Sequence, residues 1–350
     1  MSKGKGWLSR LALALETTYG TAVTVAELIP YLTEGISFQK DRANDKSLTG
    51  DAGFNRSFVG VGKYVGPLKC NLAYGDLDIM IAAALGATAG VPVIVGIAPA
   101  LYSNTYSLAD EINHSFTLAA DKAVSIHEWA GCKINKLTLR GTPSNPIEAE
   151  FEIVAKTRLL STDAAYAGND AADITAATEL DVPVVMFEDL VMLLGDNVNA
   201  LVAPTDNFCV GGFELVIDNH LRTDEQTNCG LDEPERNERR EIKLTLDFPS
   251  YSTNNYIDWL VANTILQSSM TFTRADPLGV LTDDYQYQLR LGKMLVAEYP
   301  TPVEGDQMIA PKVVFDLLRV KTATDNPTWV AMTDEMELYT VGPRVADPLA

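Results

Sequence analysis

Histidine is scarce in this 350-residue chain, which argues against most metal sites and general-base sites built from histidine. Its three histidines are scattered along the sequence: His114, His127 and His220. We expect each of them to be an ordinary strand or loop residue rather than a metal ligand or a general base. The sequence also lacks the G-x-S-x-G, Walker and H-E-x-x-H motifs that mark hydrolases, nucleotide-binding proteins and zinc peptidases. We therefore expect no enzyme activity, no catalytic residue, no metal and no cofactor.

Cysteine is equally rare. The chain has four cysteines, and no two of them have the C-x-x-C spacing: Cys70, Cys132, Cys209 and Cys229. This spacing argues against a disulfide scaffold and against a zinc site, and it suits synthesis in a reducing cytosol. We interpret the cysteines as isolated, buried thiols.

Positive charge is also in short supply. The chain has 27 Lys and Arg against 47 Asp and Glu, a formal net charge of −20. A protein that holds nucleic acid neutralises phosphates with Lys and Arg, so this balance argues strongly against a nucleic-acid-binding protein. It also argues against docking on an anionic membrane. The acidic stretches at 232–235 and 283–284 are interpreted as solvated loops rather than calcium sites.

No apolar run is both long enough and continuous enough to be a signal peptide or a membrane span. The run at residues 11–15 ends at Glu16, which is too short for a signal-peptide core. Residues 79–101 carry no charge, but glycines and prolines interrupt them. We expect a short helix at 77–85, a turn, and a strand around 93–95 instead of a bilayer span.

The chain does contain an imperfect internal duplication. Residues 35–41 and 212–218 each have the apolar alternation of a strand. A long polar loop follows in both copies, at 42–66 and 219–240. A second alternating strand comes next, beginning at Leu68 in the first copy and at Ile242 in the second.

After the second strand both copies change to a helical pattern. In the first copy Asp76 is the predicted N-cap and Gly86 the predicted stop, and in the second copy Asn254 is the predicted N-cap. Further strands follow in each. We therefore predict a mainly β protein, built as a β-sandwich or part-barrel with a flanking short helix. Its two tandem domains would span 1–165, with an N-terminal arm, and 182–350, joined by a linker at 166–181.

Three segments resemble the major tail tube proteins of siphophages. The first is the E-x-x-Y-G-T opening at residues 16–21. The second is the block at 60–86, a glycine-rich loop, a strand and a short helix that ends in Leu-Gly. The third is the strand at 210–219, which ends in Asp218 and Asn219.

The resemblance implies a structural virion protein that forms stacked rings around a channel for DNA. Two domains per chain would give trimeric rings with pseudo-sixfold symmetry. A hexamer whose second domain decorates the outside is the alternative. The implied partners are further copies of the chain, the tape measure protein and viral double-stranded DNA inside the channel, the tail terminator and the tail tip proteins. Assembly in the host cytoplasm and location in the virion tail, with no membrane, follow from the same resemblance.

The resemblance also places the ring-stacking loops at about 42–66 and 219–240. The candidate inter-subunit residues in these loops are charged: Asp45, Lys46, Arg56, Lys63, Arg236, Arg239 and Arg240. The last three lie among glutamates, and they either face water in a solvated loop or form ion pairs across a ring-to-ring contact.

Other assignments stay open at this stage. Another tail, baseplate or tail-terminator protein with related sandwiches is one. An acidic β-sandwich that binds carbohydrate or acts as an adhesin is another, but it would need an aromatic platform and paired carboxylates in a cleft. A secreted or surface-layer protein is the last, and the lack of a signal peptide argues against it.

Overall fold

Alternating apolar and polar residues form long antiparallel strands through most of the chain. The computed structural model describes residues 6–45, 56–95, 101–163, 166, 168–223, 226–227, 230–249, 255–275, 284–300, 310–321, 326–329 and 331–349. The protein is mainly β, as the sequence predicted. Its described helices are short: α1 (Asp78–Leu85), α2 (Ala171–Ala176) and α3 (Asn255–Ala262), with 3-10 turns at Gly6–Leu8 and Phe187–Asp189.

Eight strands form one continuous antiparallel sheet, which we call the eight-stranded sheet. In order across the sheet they are β4 (Ser37–Asn44), β5 (Ser57–Asn71), β11 (Glu148–Ala155), β10 (Ile126–Gly141), β15 (Gly212–Asp218), β18 (Glu241–Asp247), β21 (Lys312–Leu317) and β20 (Tyr285–Glu298). The first four strands come from the first half of the chain and the last four from the second half.

The two halves meet where β10 pairs with β15, a contact that we call the joint. Lys136 lies opposite Asp218 and Gly141 lies opposite Phe213, with an unbroken ladder between them. Leu137, Leu139, Leu215 and Ile217 point into the core from this ladder and are buried. The joint is therefore an ordinary stretch of sheet interior, in which backbone pairing and apolar packing both continue across the two halves.

The remaining strands make a second layer over the core and extend the edges. On the first-half side they are β1 (Arg10–Leu15), β2 (Glu27–Leu28), β3 (Thr33–Glu34), β9 (Phe116–Asp121) and β12 (Thr157–Leu160). On the second-half side they are β13 (Leu190–Asp196), β14 (Asn207–Phe208), β19 (Leu266–Arg274), β22 (Met336–Gly342), β8 (Tyr102–Leu108), β6 (Gly86–Thr88) and β7 (Val93–Ile94). A separate ribbon pairs β16 (Gln226–Thr227) with β17 (Gly230–Leu231).

The two halves pair their strands in the same order. In the first half the ladder runs β1–β9–β10–β11–β5–β4, with β12 also on β10. In the second it runs β13–β19–β20–β21–β18–β15, with β22 also on β20. These strand-pairing orders are what a duplication predicts.

The long strands β10 and β20 also share two irregularities. The register of β10 shifts just before Cys132 against β9 and just after Ile134 against β11. The register of β20 shifts just before Met294 against β19 and just after Val296 against β21. Because bulges bend a strand and increase its twist, both strands cross from one layer to the other at equivalent places.

The first helix ends as predicted but does not begin as predicted. Gly86 ends α1 in the left-handed conformation, with φ of 93°, and its N–H donates to Ala82. Asp76 does not cap the helix: the N-cap is Leu77, and no side-chain oxygen caps the helix there. Asp76 and Asp78 are both buried, and neither carboxylate caps the helix. The Asn254 cap of the second copy lies outside the described residues.

The segment predicted as a loop at 42–66 is largely a hairpin. β4 continues to Asn44 and β5 begins at Ser57, so strand pairing reaches Asn44 opposite Ser57. The glycines misled the prediction, but they serve packing: a Cβ at Gly62 would lie 2.1 Å from the ring of Phe38. The described part of the segment at 219–240 is mostly a loop, as predicted, but it also contains one small two-stranded ribbon that the sequence did not predict.

Two further predictions concern the apolar run and the linker. The run at 79–101 contains α1 and then β7 with a turn between them, as expected. None of the helices in the described part of the chain is long and apolar enough to cross a membrane. The segment at 166–181 contains α2, whose N-terminus has a capping box between Asp170 and Asp173. Its lack of apolar periodicity concealed this helix, which buries only Ile174.

Candidate assembly surfaces

One face of the eight-stranded sheet packs on the core and the other is polar. On the polar face, strands β5, β11, β10, β15, β18 and β21 carry eight carboxylates and six cations. The carboxylates are Glu148, Glu150, Glu152, Glu214, Asp218, Glu241, Asp247 and Asp316. The cations are Lys63, Lys69, Lys136, Arg140, Lys243 and Lys312.

Most of these cations lie against carboxylates of the same face. Lys69 Nζ is 3.2 Å from Glu150 and Arg140 Nη1 is 3.4 Å from the same carboxylate. Arg140 Nη2 then reaches Glu214 across the joint at 3.0 Å. Lys243 pairs with Glu241 at 2.6 Å. The face therefore has two more carboxylates than cations, and four of the six cations have a carboxylate of the same face within 4 Å.

Both predicted stacking segments lie at the same end of the sheet, which we call the loop end. β5 pairs with β11 only from Tyr64 onward, so the stretch from Ser57 to Lys63 projects past that end as a hairpin with β4. The two segments touch, because Lys63 Nζ donates to Oγ1 of Thr223 at 2.7 Å and to its carbonyl. The structure thus brings together residues that are 160 positions apart.

The second stacking segment is tied down by buried and half-buried cations. Arg236 donates to the carbonyls of Asn219, Ala109 and Asp110. Arg240 donates to the Ala109 carbonyl at 2.8 Å and pairs with Glu335 at 2.7 Å. These two candidate residues therefore hold the segment against the turn that follows β8, within one chain.

The other candidate residues occupy different surroundings. The backbone N–H of Asp45 donates to the carbonyl of Arg56 at 2.8 Å, and these are the outermost residues of the β4–β5 hairpin that the structure describes. The side chains of Arg56 and Arg239 are exposed. Lys46 lies outside the described residues.

Sequence reasoning missed the most buried cation of the loop end. Lys133 is 1% exposed, and its Nζ donates to the carbonyls of Ile112 and Pro234 and pairs with Glu233 at 2.7 Å. Buried Asn219 acts similarly, donating to the carbonyls of Ala84 and Ile134. In the sequence, Lys133 stands out only as a cation among the apolar residues of a strand. That pattern does not predict which groups it contacts.

The two outer edges of the eight-stranded sheet are open. Among the described residues, no strand pairs with the free edge of β4 or with the free edge of the last residues of β20, from Leu295 to Glu298. Open edges expose unpaired N–H and C=O groups and invite pairing with another chain. By strand-pairing order, β4 corresponds to β15 and β20 corresponds to β10. The open edges of β4 and β20 are therefore equivalent to the edges of β15 and β10 that pair with each other in the joint.

A group of carboxylates lies at the opposite end of the sheet, which we call the far end. Arg344 donates to both oxygens of Glu27, at 2.8 and 2.6 Å, and its Nε lies 3.6 Å from Asp78. Tyr106 donates to Asp78 at 2.8 Å. Burial raises the pKa of Asp78, and Arg344 offsets part of that effect. Asp76 is also buried, and burial together with Glu27 and Glu179 raises its pKa to about 7.

The side chains that could bind a metal are dispersed among the described residues. Within them, no group of three or more His, Cys, Asp or Glu side chains is placed to hold a metal ion. Burial lowers the pKa values of His114 and His127, and these two histidines lie on different parts of the fold. The surfaces that stand out are an extended polar face, two open edges and two chemically different ends.

Comparison with protein families gives one match. A family model described as phage tail tube protein matches residues 6–317, which is most of the chain. A search of curated proteins found no match.

Proposed function

The chain belongs to the phage tail tube protein family, and from this premise we propose that three copies close into a ring and that rings stack into the tube of the phage tail. Family membership makes the chain a structural component of the virion tail that assembles with itself. The observation that carries the ring proposal is the eight-stranded sheet. Two sets of four strands, paired in the same order, already stand side by side in one chain.

The joint supplies a template for the contact between neighbouring copies. Within the chain, β15 pairs with the free edge of β10. The equivalent contact between copies would place β4 of one copy on the free edge of β20 of the next. By the strand pairings that the two halves share, Gln39 is equivalent to Asp218 and Glu298 is equivalent to Lys136. Since Asp218 lies opposite Lys136 in the joint, we expect Gln39 to lie opposite Glu298 between copies. Both open edges are then covered, which removes the aggregation hazard of exposed strands.

The dimensions of such a ring suit the passage of duplex DNA. Three copies would give about 24 inner strands at a spacing of about 4.8 Å. With a tilt of about 40° the circumference is on the order of 150 Å and the backbone diameter on the order of 50 Å. After side chains are subtracted, the channel remains wider than a B-form duplex. In a hexamer with the second half outside, the two halves would not share one inner sheet, so the joint favours the trimer.

The polar face of the sheet is the proposed channel wall. Most of its cations lie against neighbouring carboxylates, so the wall offers no continuous row of free positive charge to DNA phosphates. A slightly negative wall repels the duplex and keeps it from binding during passage. The tape measure protein would occupy the same channel before DNA enters, and the tail terminator and tail tip proteins would cover the two ends of the tube.

We assign the two halves as tandem tail-tube domains, residues 1–165 and 182–350, with 166–181 between them. The charged residues of the loop end, Asp45, Lys46, Arg56, Lys63, Arg236, Arg239 and Arg240, are the proposed stacking residues. Arg236 and Arg240 act indirectly, by fixing the shape of their loop. Assembly takes place in the host cytoplasm and the product is not an enzyme.

Cross-linking tests the ring proposal at residue level. In a background with Cys209→Ser and Cys229→Ser, the pair Gln39→Cys and Glu298→Cys should cross-link between copies in assembled tubes, because opposed residues have Cβ atoms about 5 Å apart. A denaturing gel should show a ladder that ends at three chains. The matched control is Lys40→Cys with Glu298→Cys, since the next residue along a strand points to the other face. A ladder that reaches six chains, or equal cross-linking in the control, would contradict the trimer or its register.

A further inference from the structure

A cleft at the far end of the sheet holds a carboxylate that lacks a partner. The cleft has a volume of about 450 Å³ and is lined by residues that include Tyr31, Leu32, Asn71, Asp76 and Glu179. We call it the Asp76 cleft. It opens beside the C-terminal end of β5, where that strand leaves the eight-stranded sheet at Asn71.

Asp76 is the unusual group in this cleft. Its residue is only 4% exposed, yet among the described residues no donor hydrogen-bonds to its carboxylate and no cation lies within 4 Å of it. The nearby Arg344 is engaged with Glu27 and Asp78. A buried carboxylate without a partner is costly, and a positive group that enters the cleft would remove that cost.

The opposite end of the same strand carries the complementary charge. The β4–β5 hairpin projects past the loop end of the sheet. From residue 40 to residue 63 the sequence has five cations and three carboxylates, in a chain of net charge −20. The cations are Lys40, Arg42, Lys46, Arg56 and Lys63. Phe58 on this hairpin is 59% exposed.

β5 therefore runs from a basic, aromatic hairpin to an acidic cleft. Copies stacked head to tail along the strand direction would bring the hairpin of one against the cleft of the next. We propose that the β4–β5 hairpin of a copy in the adjacent ring docks in the Asp76 cleft, with a basic side chain of the hairpin completing Asp76. This inference rests on the proposed tube and names the acceptor site of its ring-to-ring contact.

A disulfide trap tests the contact. Leu32 lines the cleft and is 50% exposed. We combine Leu32→Cys with Phe58→Cys in the Cys209→Ser and Cys229→Ser background. In assembled tubes this pair should give disulfide-linked products of more than three chains, which is more than one ring contains. The matched control replaces Leu32→Cys by Leu159→Cys, a leucine that is 40% exposed on β12 and away from the cleft. The control should give no product above background. Cross-links confined to one ring, or equal yields from both pairs, would overturn the inference.

A charge exchange gives an independent test, read by electron microscopy of tube length. Glu179→Lys at the cleft and Arg56→Glu on the hairpin are both exposed positions, so each variant should fold. Each single change should shorten tubes at least several-fold, and the double variant should recover most of the length. Tubes of normal length in both single variants would overturn the docking and leave the tube proposal intact. Failure of the unaltered protein to form any tube would instead overturn the tube proposal, and this inference with it.

Discussion

Arg140 on β10 donates two hydrogen bonds to the carboxylate of Glu214 on β15, from Nε at 3.2 Å and from Nη2 at 3.0 Å. The pair bridges the joint between the two halves of the chain. Both side chains are partly exposed, at 46% and 33%, so water and salt weaken their attraction. The backbone ladder and the buried leucines of the joint are the stronger connection.

The first prediction separates these contributions. Arg140→Ala should lower the free energy of unfolding by no more than about 1 kcal/mol. Leu215→Ala, at a fully buried position of the same joint, should lower it by about 2–5 kcal/mol because it leaves a cavity. Urea denaturation followed by tryptophan fluorescence measures both. A loss from Arg140→Ala as large as that from Leu215→Ala would mean that the ion pair holds the joint.

The second prediction concerns the cation of the far end. Arg344→Met should lower the free energy of unfolding by about 3–5 kcal/mol, because it leaves Asp78 buried without a positive neighbour. Arg344 is 8% exposed, whereas Arg319 is 50% exposed and pairs with Asp110 at the surface. Arg319→Met is therefore the control and should cost less than about 1 kcal/mol. Thermal and urea denaturation at pH 8 compare them, and similar losses would contradict the burial argument.

The third prediction follows from the raised pKa of Asp76, about 7 in the folded chain against 3.8 ordinarily. The unfolded chain loses the proton first as the pH rises, so this group reduces stability progressively between about pH 4 and pH 7. Above pH 7 the loss is complete. Asp76→Asn removes this effect and should raise the free energy of unfolding of unassembled protein at pH 8, by on the order of 2–4 kcal/mol.

At pH 4 the same variant should differ little from the unaltered protein, because the folded state then holds the proton and the unfolded chain, with a pKa of 3.8, has lost it only in part. The control is Asp181→Asn, an exposed carboxylate at the same cleft, which should change stability little at either pH. Denaturation curves at pH 4 and pH 8 give the comparison. A gain from Asp76→Asn that is equal at the two pH values would show that burial of the charge is not its cause.

The fourth prediction concerns the loop anchored by Lys133. Lys133→Met removes the donor to the carbonyls of Ile112 and Pro234 and the partner of Glu233. Amide hydrogen exchange in the segment 219–240 should become at least tenfold faster, while exchange in β15 and β18 changes much less. Lys136→Met, three residues further along β10, in the joint and on the polar face, is the control and should leave exchange in this segment unchanged. Uniform acceleration across the whole chain would contradict a local anchor.

The regular parts of this fold follow from local pattern. β15 at Gly212–Asp218 coincides with the predicted strand, because strict alternation over seven residues leaves no other conformation that buries one face. The stop at Gly86 was also foreseen, since a left-handed C-terminal residue favours glycine. The same alternation also predicts the duplication, but its alignment of the two copies is wrong by two residues. The sequence pattern aligns Gly35 with Gly212, whereas the strand pairings align Ser37 with Val216 and so Gly35 with Glu214. A slip of two residues keeps the same face of a strand, so alternation alone cannot detect it.

What the sequence did not reveal depends on contacts between distant segments. Asp76 looked like a helix cap because carboxylates favour that place, but tertiary packing buries it in a cleft instead. Strand β8 pairs with β22, whose residues are 230 to 240 positions away, and local pattern carries no information on that partner. The hairpin at β4–β5 was hidden by glycines that have packing reasons for being there. The candidate surfaces, two edges and two ends, are relations between elements and emerge only from the fold.

We propose that one chain supplies two adjacent sixths of a ring, joined to the next chain as β10 is joined to β15. Cryo-electron microscopy of the assembled tube tests it directly by counting chains in one ring and tracing the inner sheet. We expect three chains in each ring, about 24 inner strands, and β4 of each copy paired with β20 of the next. A ring of six chains, with one half of each chain outside the inner sheet, would contradict it.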